Sequence, residues 1–285
     1  MNRRQMLAAI GGTMATAAAG RMLGAQMVGG RVMRARRIEK VGVQLYTIRQ
    51  ALDRDFEGSL AKVAGIGYRE VELAGLHGKS AAEFRRALDR VGLAAPSSHV
   101  PLERLQGNAL GGTLDEAHTL GHRYLIVPDP PAVYRTVDGM KRLGDELSVI
   151  GAAADGAGVK VGFHNHSGEF TAEHGLRPYD ALLEHADPRY VTMEMDLFWI
   201  VNGGGDPLAY FAKYPGRFSM VHVKDMGPSP ERKMSDVGSG VMDWRTIFAH
   251  SDQAGITHYF VEHDQPADPF ASIRASYEYL ATLEF

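Results

Sequence analysis

Two histidines and a glutamate crowd the stretch GFHNHSGEF (162–170): His164, His166 and Glu169, directly behind a short apolar run. Imidazole and carboxylate so close together suit either a divalent cation or proton transfer near neutrality, where imidazole titrates. Three groups of the same kind close later apolar runs: Asp196 in YVTMEMD (190–196), His222 in FSMVHVK (218–224) and Glu262 in HYFVEH (258–263). One histidine at a strand end is ordinarily structural. Four matched groups ending four successive runs are a candidate ligand set, and two imidazoles with two carboxylates suit one divalent ion: Mn²⁺, Co²⁺, Zn²⁺ or Mg²⁺. An imidazole not taken by metal can act as a base near pH 7.

The elements that must position these groups are regular. Strand-like runs occur at 41–46, 68–73, 94–99, 123–128, 159–166, 190–196, 218–224 and 258–263. Segments of helical period, such as FEGSLAKVAGIG (56–67) and SAAEFRRALDRVG (80–92), lie between them and end in the glycine that often terminates a helix. Alternating β and α units specify a parallel sheet covered by helices, and eight of them after residue 40 match a (β/α)8 TIM barrel, for which about 250 residues is typical. An open doubly wound sheet would carry a glycine-rich phosphate turn after its first strand, and QLYTIRQAL has none. The glycines at 203–205 read as a turn. On a strand, residues two apart share a face, so His164 and His166 are expected side by side. Barrel enzymes place their chemistry at the carboxyl ends of the strands. Gln44, Tyr46, Glu72 and His99 end the first three strands and are expected around the same mouth, with Lys224 and Asp225 positioning and Trp199 walling a substrate ring. Trp244 is expected to anchor the helix before the last strand.

Composition narrows the function. The 285 residues include 12 histidines and no cysteine, which excludes disulfides, thiolate metal sites and cysteine nucleophiles. The formal net charge of −3 offers no basic face for nucleic acid. At the N-terminus, Arg3-Arg4-Gln5-Met6-Leu7 opens a small-residue apolar run to Ala19, too short for stable membrane insertion and similar to a twin-arginine export signal. Ala19 and Ala25 are both candidate cleavage points. Residues 1–36 are therefore expected to be signal and linker, 37–285 the barrel, and the location periplasmic.

From VGVQLYTIR, VELAG, GFHNHSGEF, MEMDLFW, MVHVKDM, VGSGVMDW and FVEHD, spread over the whole mature chain, the sequence resembles the sugar phosphate isomerase/epimerase superfamily of xylose-isomerase-like TIM barrels. That resemblance implies one divalent metal held by Glu, Asp, His and Glu from strands five to eight, and so implies Asp196, His222 and Glu262. The first glutamate falls on His164, a departure: either His164 is the ligand, the favoured reading, or Glu169 swings in from the loop. It also implies proton abstraction next to a carbonyl, with Glu262 and the His164/Glu169 region as proton carriers. His166, His99, Gln44, Glu72, Lys224 and Trp199 are expected to contact a small sugar or keto-sugar. Export argues against a phosphorylated one. Isomerisation or epimerisation is the first expectation, β-elimination on a 3-keto-glycoside the alternative, and a non-catalytic exported sugar-binding protein a third. The abasic-site endonucleases sharing this barrel need a basic phosphate-binding face that this chain lacks. Oligomeric state is left open.

Overall fold

A computed structural model describes residues 35–285 and a short antiparallel pairing of Met27–Val28 with Arg31–Val32. The export motif from Arg3 to Ala19 lies outside the described residues. Among the described residues, eight parallel strands close a barrel: β1 (Val41–Gln44), β2 (Glu70–Leu73), β3 (Ala94–His99), β4 (Tyr124–Val127), β5 (Lys160–His164), β6 (Val191–Asp196), β7 (Phe218–Val223) and β8 (His258–Val261). They neighbour one another in chain order, and β8 pairs with β1 to complete the ring. The expected TIM barrel is the fold. No helix among the described residues is long and apolar enough to cross a membrane.

Helices follow the strands because local signals start and stop them. Ser80 and Glu83 form a reciprocal cap on Ala81–Val91: the Glu83 N–H donates to Ser80 Oγ at 3.3 Å, and the Ser80 N–H to Glu83 Oε2 at 2.8 Å. Gly92 ends that helix at φ 71°, a left-handed conformation that disfavours a side chain. Asp55 and Asp268 cap Phe56–Ile66 and Pro269–Thr282.

Alternation along each strand sends every second residue into the barrel. The inward residues form layers. Near the amino ends, Glu70 pairs with His258 at 2.7 Å. Above them Ile126, Met220 and Phe260 form a dry plug. Gly42 and Gly162 leave the space that plug needs: a Cβ at 42 would lie 2.6 Å from the Phe260 ring, and one at 162 would lie 2.6 Å from Ile126 Cδ1 and 2.7 Å from Thr192 O. From Gln44, Glu72, Ser97, Glu194 and His222 upward the interior turns polar.

Several strands are shorter than the sequence suggests. β5 stops at His164 because the next side chain replaces the ladder: Asn165 Oδ1 accepts from Asp196 N at 3.0 Å, and Asn165 Nδ2 donates to Asp196 O at 3.3 Å. His166 therefore lies in the following loop, although its ring stays 5.0 Å from that of His164. β1 ends at Gln44, whose Oε1 accepts from Tyr46 N at 3.1 Å and turns the chain into a short 3₁₀ segment, Leu45–Ile48.

Candidate functional site

His222 is the hub of the polar interior. Its Nδ1 lies 2.8 Å from Glu262 Oε2 and its Nε2 lies 2.7 Å from Glu72 Oε2. Glu72 is fixed in turn by Gln44 Nε2 at 2.8 Å and Ser97 Oγ at 2.5 Å. Gln44 and Glu72 are wholly buried and do not line the open cavity. The expectation that they touch substrate is corrected: both face the layer below the mouth, where they orient His222.

Glu194, which the sequence reading passed over, gathers three imidazoles. Its Oε2 lies 2.7 Å from His99 Nε2, 3.1 Å from His164 Nδ1 and 3.3 Å from His222 Nε2. Burial disfavours its charge, but His222 and His99 outweigh that and hold Glu194 well below the usual carboxylate range. Burial, with Glu194 alongside, pushes Glu72 up. His222 is pushed well above the ordinary imidazole value: Glu194 and Glu262 overcome the burial that opposes its charge. His99 is raised in the same way by Glu72 and Glu194. Burial and the nearby His222 hold His164 well below, so it is neutral. Burial, then Lys224, lower His166 to about 4.

Lys224 is the second hub. Its Nζ lies 2.6 Å from Glu262 Oε2, 2.8 Å from Asp264 Oδ1 and 3.0 Å from Asp196 Oδ2. Burial disfavours the ammonium, but Asp196, Glu262 and Asp264 together push its pKa above the ordinary lysine range. Glu262 is nearer to Nζ than Asp196 is, and the charge falls accordingly. Against the cost of burial, Lys224 and His222 hold Glu262 well below the carboxylate range. Burial dominates at Asp196 and pushes it up to about 6. Asp196 Oδ1 caps the helix Leu197–Asn202 through Trp199 N at 2.9 Å.

The ligand atoms fall into two overlapping groups, each within 4.8 Å: Asp196, His222 and Glu262, and His99, His164, Glu194 and His222. His164 joins the second, yet its Nε2 also lies 3.8 Å from Asp196 Oδ2. Glu169 belongs to neither. Its Oε2 accepts from His166 N at 2.9 Å, closing a short turn at the cavity wall, and burial raises its pKa. The donors fit a divalent cation. Asp196 Oδ2 and Glu194 Oε1 are buried oxygens without a hydrogen-bond partner, the Asp196–Lys224 contact being an ion pair without hydrogen-bond alignment. Unsatisfied buried carboxylate oxygens beside imidazoles are what an oxygen- and nitrogen-seeking cation needs.

A cavity of about 810 Å³ opens over this floor. His99, His164, His166, Glu169, Lys224, Glu262 and Asp264 line it. Trp199 does not; its ring packs 5.8 Å from His166 and under Lys224 Nζ at 5.7 Å, supporting both from behind. Asp225 is also not a mouth residue. It is buried, and its carboxylate accepts from Met226 N, Gly238 N, Met242 N and Trp244 Nε1, at 2.8, 2.8, 3.1 and 2.9 Å. That ties Trp244 to the start of the helix Trp244–Ala249, the anchoring role expected of it.

The chain is 30% identical over 164 residues to an inosose dehydratase of Geobacillus thermodenitrificans, a match covering 50% of this chain and about half, 52%, of that protein. It is 24% identical over 269 residues to an inosose dehydratase of Clostridium beijerinckii, covering 80% of this chain and 89% of that protein. Among solved structures, a sugar phosphate isomerase/epimerase from Parabacteroides distasonis superposes with a TM-score of 0.73 at 28% identity, over 86% of this chain and 98% of the other. Residues 60–283 match the xylose isomerase-like TIM barrel family, a span that takes in β2 to β8 and the whole cluster of imidazoles and carboxylates. The chain belongs to that family.

Proposed function

We propose that this protein is a divalent-metal-dependent enzyme that removes a proton next to the carbonyl of a keto-sugar or related polyhydroxylated ring and expels the group one carbon further on. The observation that carries this reading is the convergence of Asp196, His222 and Glu262 within 4.8 Å, with Glu262 and the neighbouring His164 reaching the cavity lining. Those three, with His164 beside them, would hold the ion; when bound, it supplies Lewis acidity toward substrate oxygens. The rest falls to the chain. Glu169 lines the cavity with Oε2 anchored on the His166 N–H, and its carboxylate takes the proton. The C–H electron pair becomes the new C=C bond, the C–O bond to the leaving group breaks, and the proton on Glu169 passes to the departing oxygen. No oxidant or reductant is consumed. Lys224, held protonated by its three carboxylates, directs positive charge at the oxygen where negative charge grows.

Elimination is preferred because relatives named for dehydrating an inosose, a cyclic ketone, match most of the chain. Epimerisation is the second reading, favoured by one feature: Glu169, in the turn after β5, and Glu262, just after β8, line the same cavity, so one can remove a proton and the other return it. Incubating the metal-loaded protein in D₂O with a 3-keto-glycoside, an inosose and free ketoses tests both readings. Aglycone or water release with loss of the hydrogen beside the carbonyl marks elimination, and deuterium at that carbon with an inverted centre marks epimerisation. Neither outcome with any of the substrates rejects the proposal. Export to the periplasm is part of the same reading, carried by Arg3-Arg4 and the apolar run to Ala19. A reporter fused to residues 1–36 that stays in the cytoplasm, with or without Arg3-Arg4, would remove it.

A further inference from the structure

The groups that can carry the chemistry, His164, Glu169, Lys224 and Glu262, line the cavity from the ends of β5, β7 and β8. The residues after β1, β2, β3 and β4 contribute Tyr46, Ala74, Pro101 and Pro128, together with Arg49 and the Asp129–Arg135 pair. The aromatic ring and the two prolines add flat apolar surface to that side. At about 810 Å³ the cavity also lies in the upper part of the range that holds drug-sized ligands, leaving room beyond a single six-membered ring.

Tyr46 is built as a platform. It is 41% exposed, one of the few large apolar side chains left open to solvent among the described residues. Arg49 holds it from behind: the guanidinium carbon sits 3.9 Å from the ring centroid, and Nη1 donates to Tyr46 O at 2.7 Å. A stacked, backbone-tethered arginine fixes the ring orientation, so the exposed aromatic surface loses little freedom on meeting a ligand. The same contacts occupy Arg49. Arg135, the other arginine at the mouth, is paired with Asp129 at 2.7 Å. Arg135 is thereby neutralised by a carboxylate, while Arg49 is held on the Tyr46 ring and backbone.

We propose that Tyr46, Ala74, Pro101 and Pro128 form a subsite for a flat apolar substituent, so that the substrate is a glycoside carrying an apolar aglycone rather than a bare hexose or cyclitol. This deepens the elimination reading and rests on it. The sugar ring lies over the β5–β8 floor, the C1–O bond that breaks points toward β1–β4, and the aglycone leaves as its alcohol or phenol while the ring keeps the new C1=C2 bond.

The test compares p-nitrophenyl and methyl 3-keto-β-glucosides on the metal-loaded wild type, Tyr46→Ala and Tyr46→Phe. Taking each variant relative to wild type cancels the intrinsic difference between the leaving groups. Tyr46→Ala is expected to lower kcat/KM for the aryl substrate at least 10-fold more than for the methyl one, and Tyr46→Phe to retain the preference. Equal losses on the two substrates overturn the subsite. Binding of unoxidised p-nitrophenyl β-glucoside, which has no ketone to react, separates the two layers of the proposal. If neither keto-glucoside turns over but this ligand binds wild type at least 10-fold tighter than Tyr46→Ala, the subsite stands and the elimination reading falls. If it binds neither protein, or both equally, the subsite is rejected.

Discussion

Lys224 Nζ lies 2.6 Å from Glu262 Oε2, so an ammonium already neutralises a carboxylate that the metal reading assigns to the cation. The two positive charges compete for one oxygen. Removing the lysine charge while keeping its stem, Lys224→Met, is expected to tighten binding of Mn²⁺ or Zn²⁺ by about tenfold or more, since repulsion between charges a few ångströms apart in a protein is worth at least ~1.4 kcal/mol. Titration calorimetry on chelator-stripped protein measures it; unchanged or weaker affinity removes the competition. Turnover is expected to fall in the same variant.

Glu262→Gln separates an enzyme from a binding protein. It leaves shape and volume nearly unchanged but removes the charge facing His222 and Lys224. Turnover is expected to fall by about 100-fold or more, the usual contribution of a positioned carboxylate. A wild-type protein that binds sugar, with neither form turning anything over, identifies the non-catalytic alternative.

Glu194 is the counter-charge for His99 and His222 and also meets the neutral His164 imidazole. In metal-free protein, Glu194→Gln leaves raised imidazoles without it, and breaking a buried ionic group by removing one partner costs about 3 kcal/mol or more. Chemical denaturation at pH 7 checks this. A loss below about 1 kcal/mol would mean that Glu72 and Glu262 suffice for the histidines.

What the sequence could reveal followed the period of the strand. Asp196, His222 and Glu262 were visible because each ends an apolar run, and β6–β7 register sets Asp196 directly beside His222. Glu194 was equally available: it lies two residues before Asp196, on the same face, flanked by Met193 and Met195. Reading only the final residue of each strand missed it. Roles that depend on depth were harder to see. Gln44 and Glu72 look like mouth residues in a linear sequence, and only barrel closure shows that they sit one layer too low. Asp264 and Asp129 lie in loops, where no periodicity fixes direction.

His122 gives a pH dependence remote from the site. Its Nδ1 donates to Ala95 O at 2.6 Å, and burial lowers its pKa from 6.5 to about 4. Between those values the unfolded chain binds a proton that the folded protein refuses, so stability rises with pH. The contribution is fully present above pH 6.5 and is lost as pH falls toward 4, to a total on the order of 3 kcal/mol. His122→Gln is expected to flatten that part of the curve. Urea midpoints of both proteins at pH 7 and pH 5 decide it, and parallel losses would show that His122 is not the group responsible.

Gly162→Ala tests the barrel plug. The added methyl would meet Ile126 Cδ1 and the Thr192 carbonyl at 2.6 and 2.7 Å, and the carbonyl belongs to a strand that cannot move alone. Overpacking of this kind costs about 1–3 kcal/mol. A thermal midpoint equal to wild type would mean that the interior relaxes.

Asp225 adds a constraint on motion. One carboxylate staples the polypeptide at residues 226, 238, 242 and 244. To swing outward, that stretch would have to strand a buried anion and abandon four donors at once. The segment that follows β7 and Lys224 is therefore a fixed wall of the barrel end rather than a movable flap.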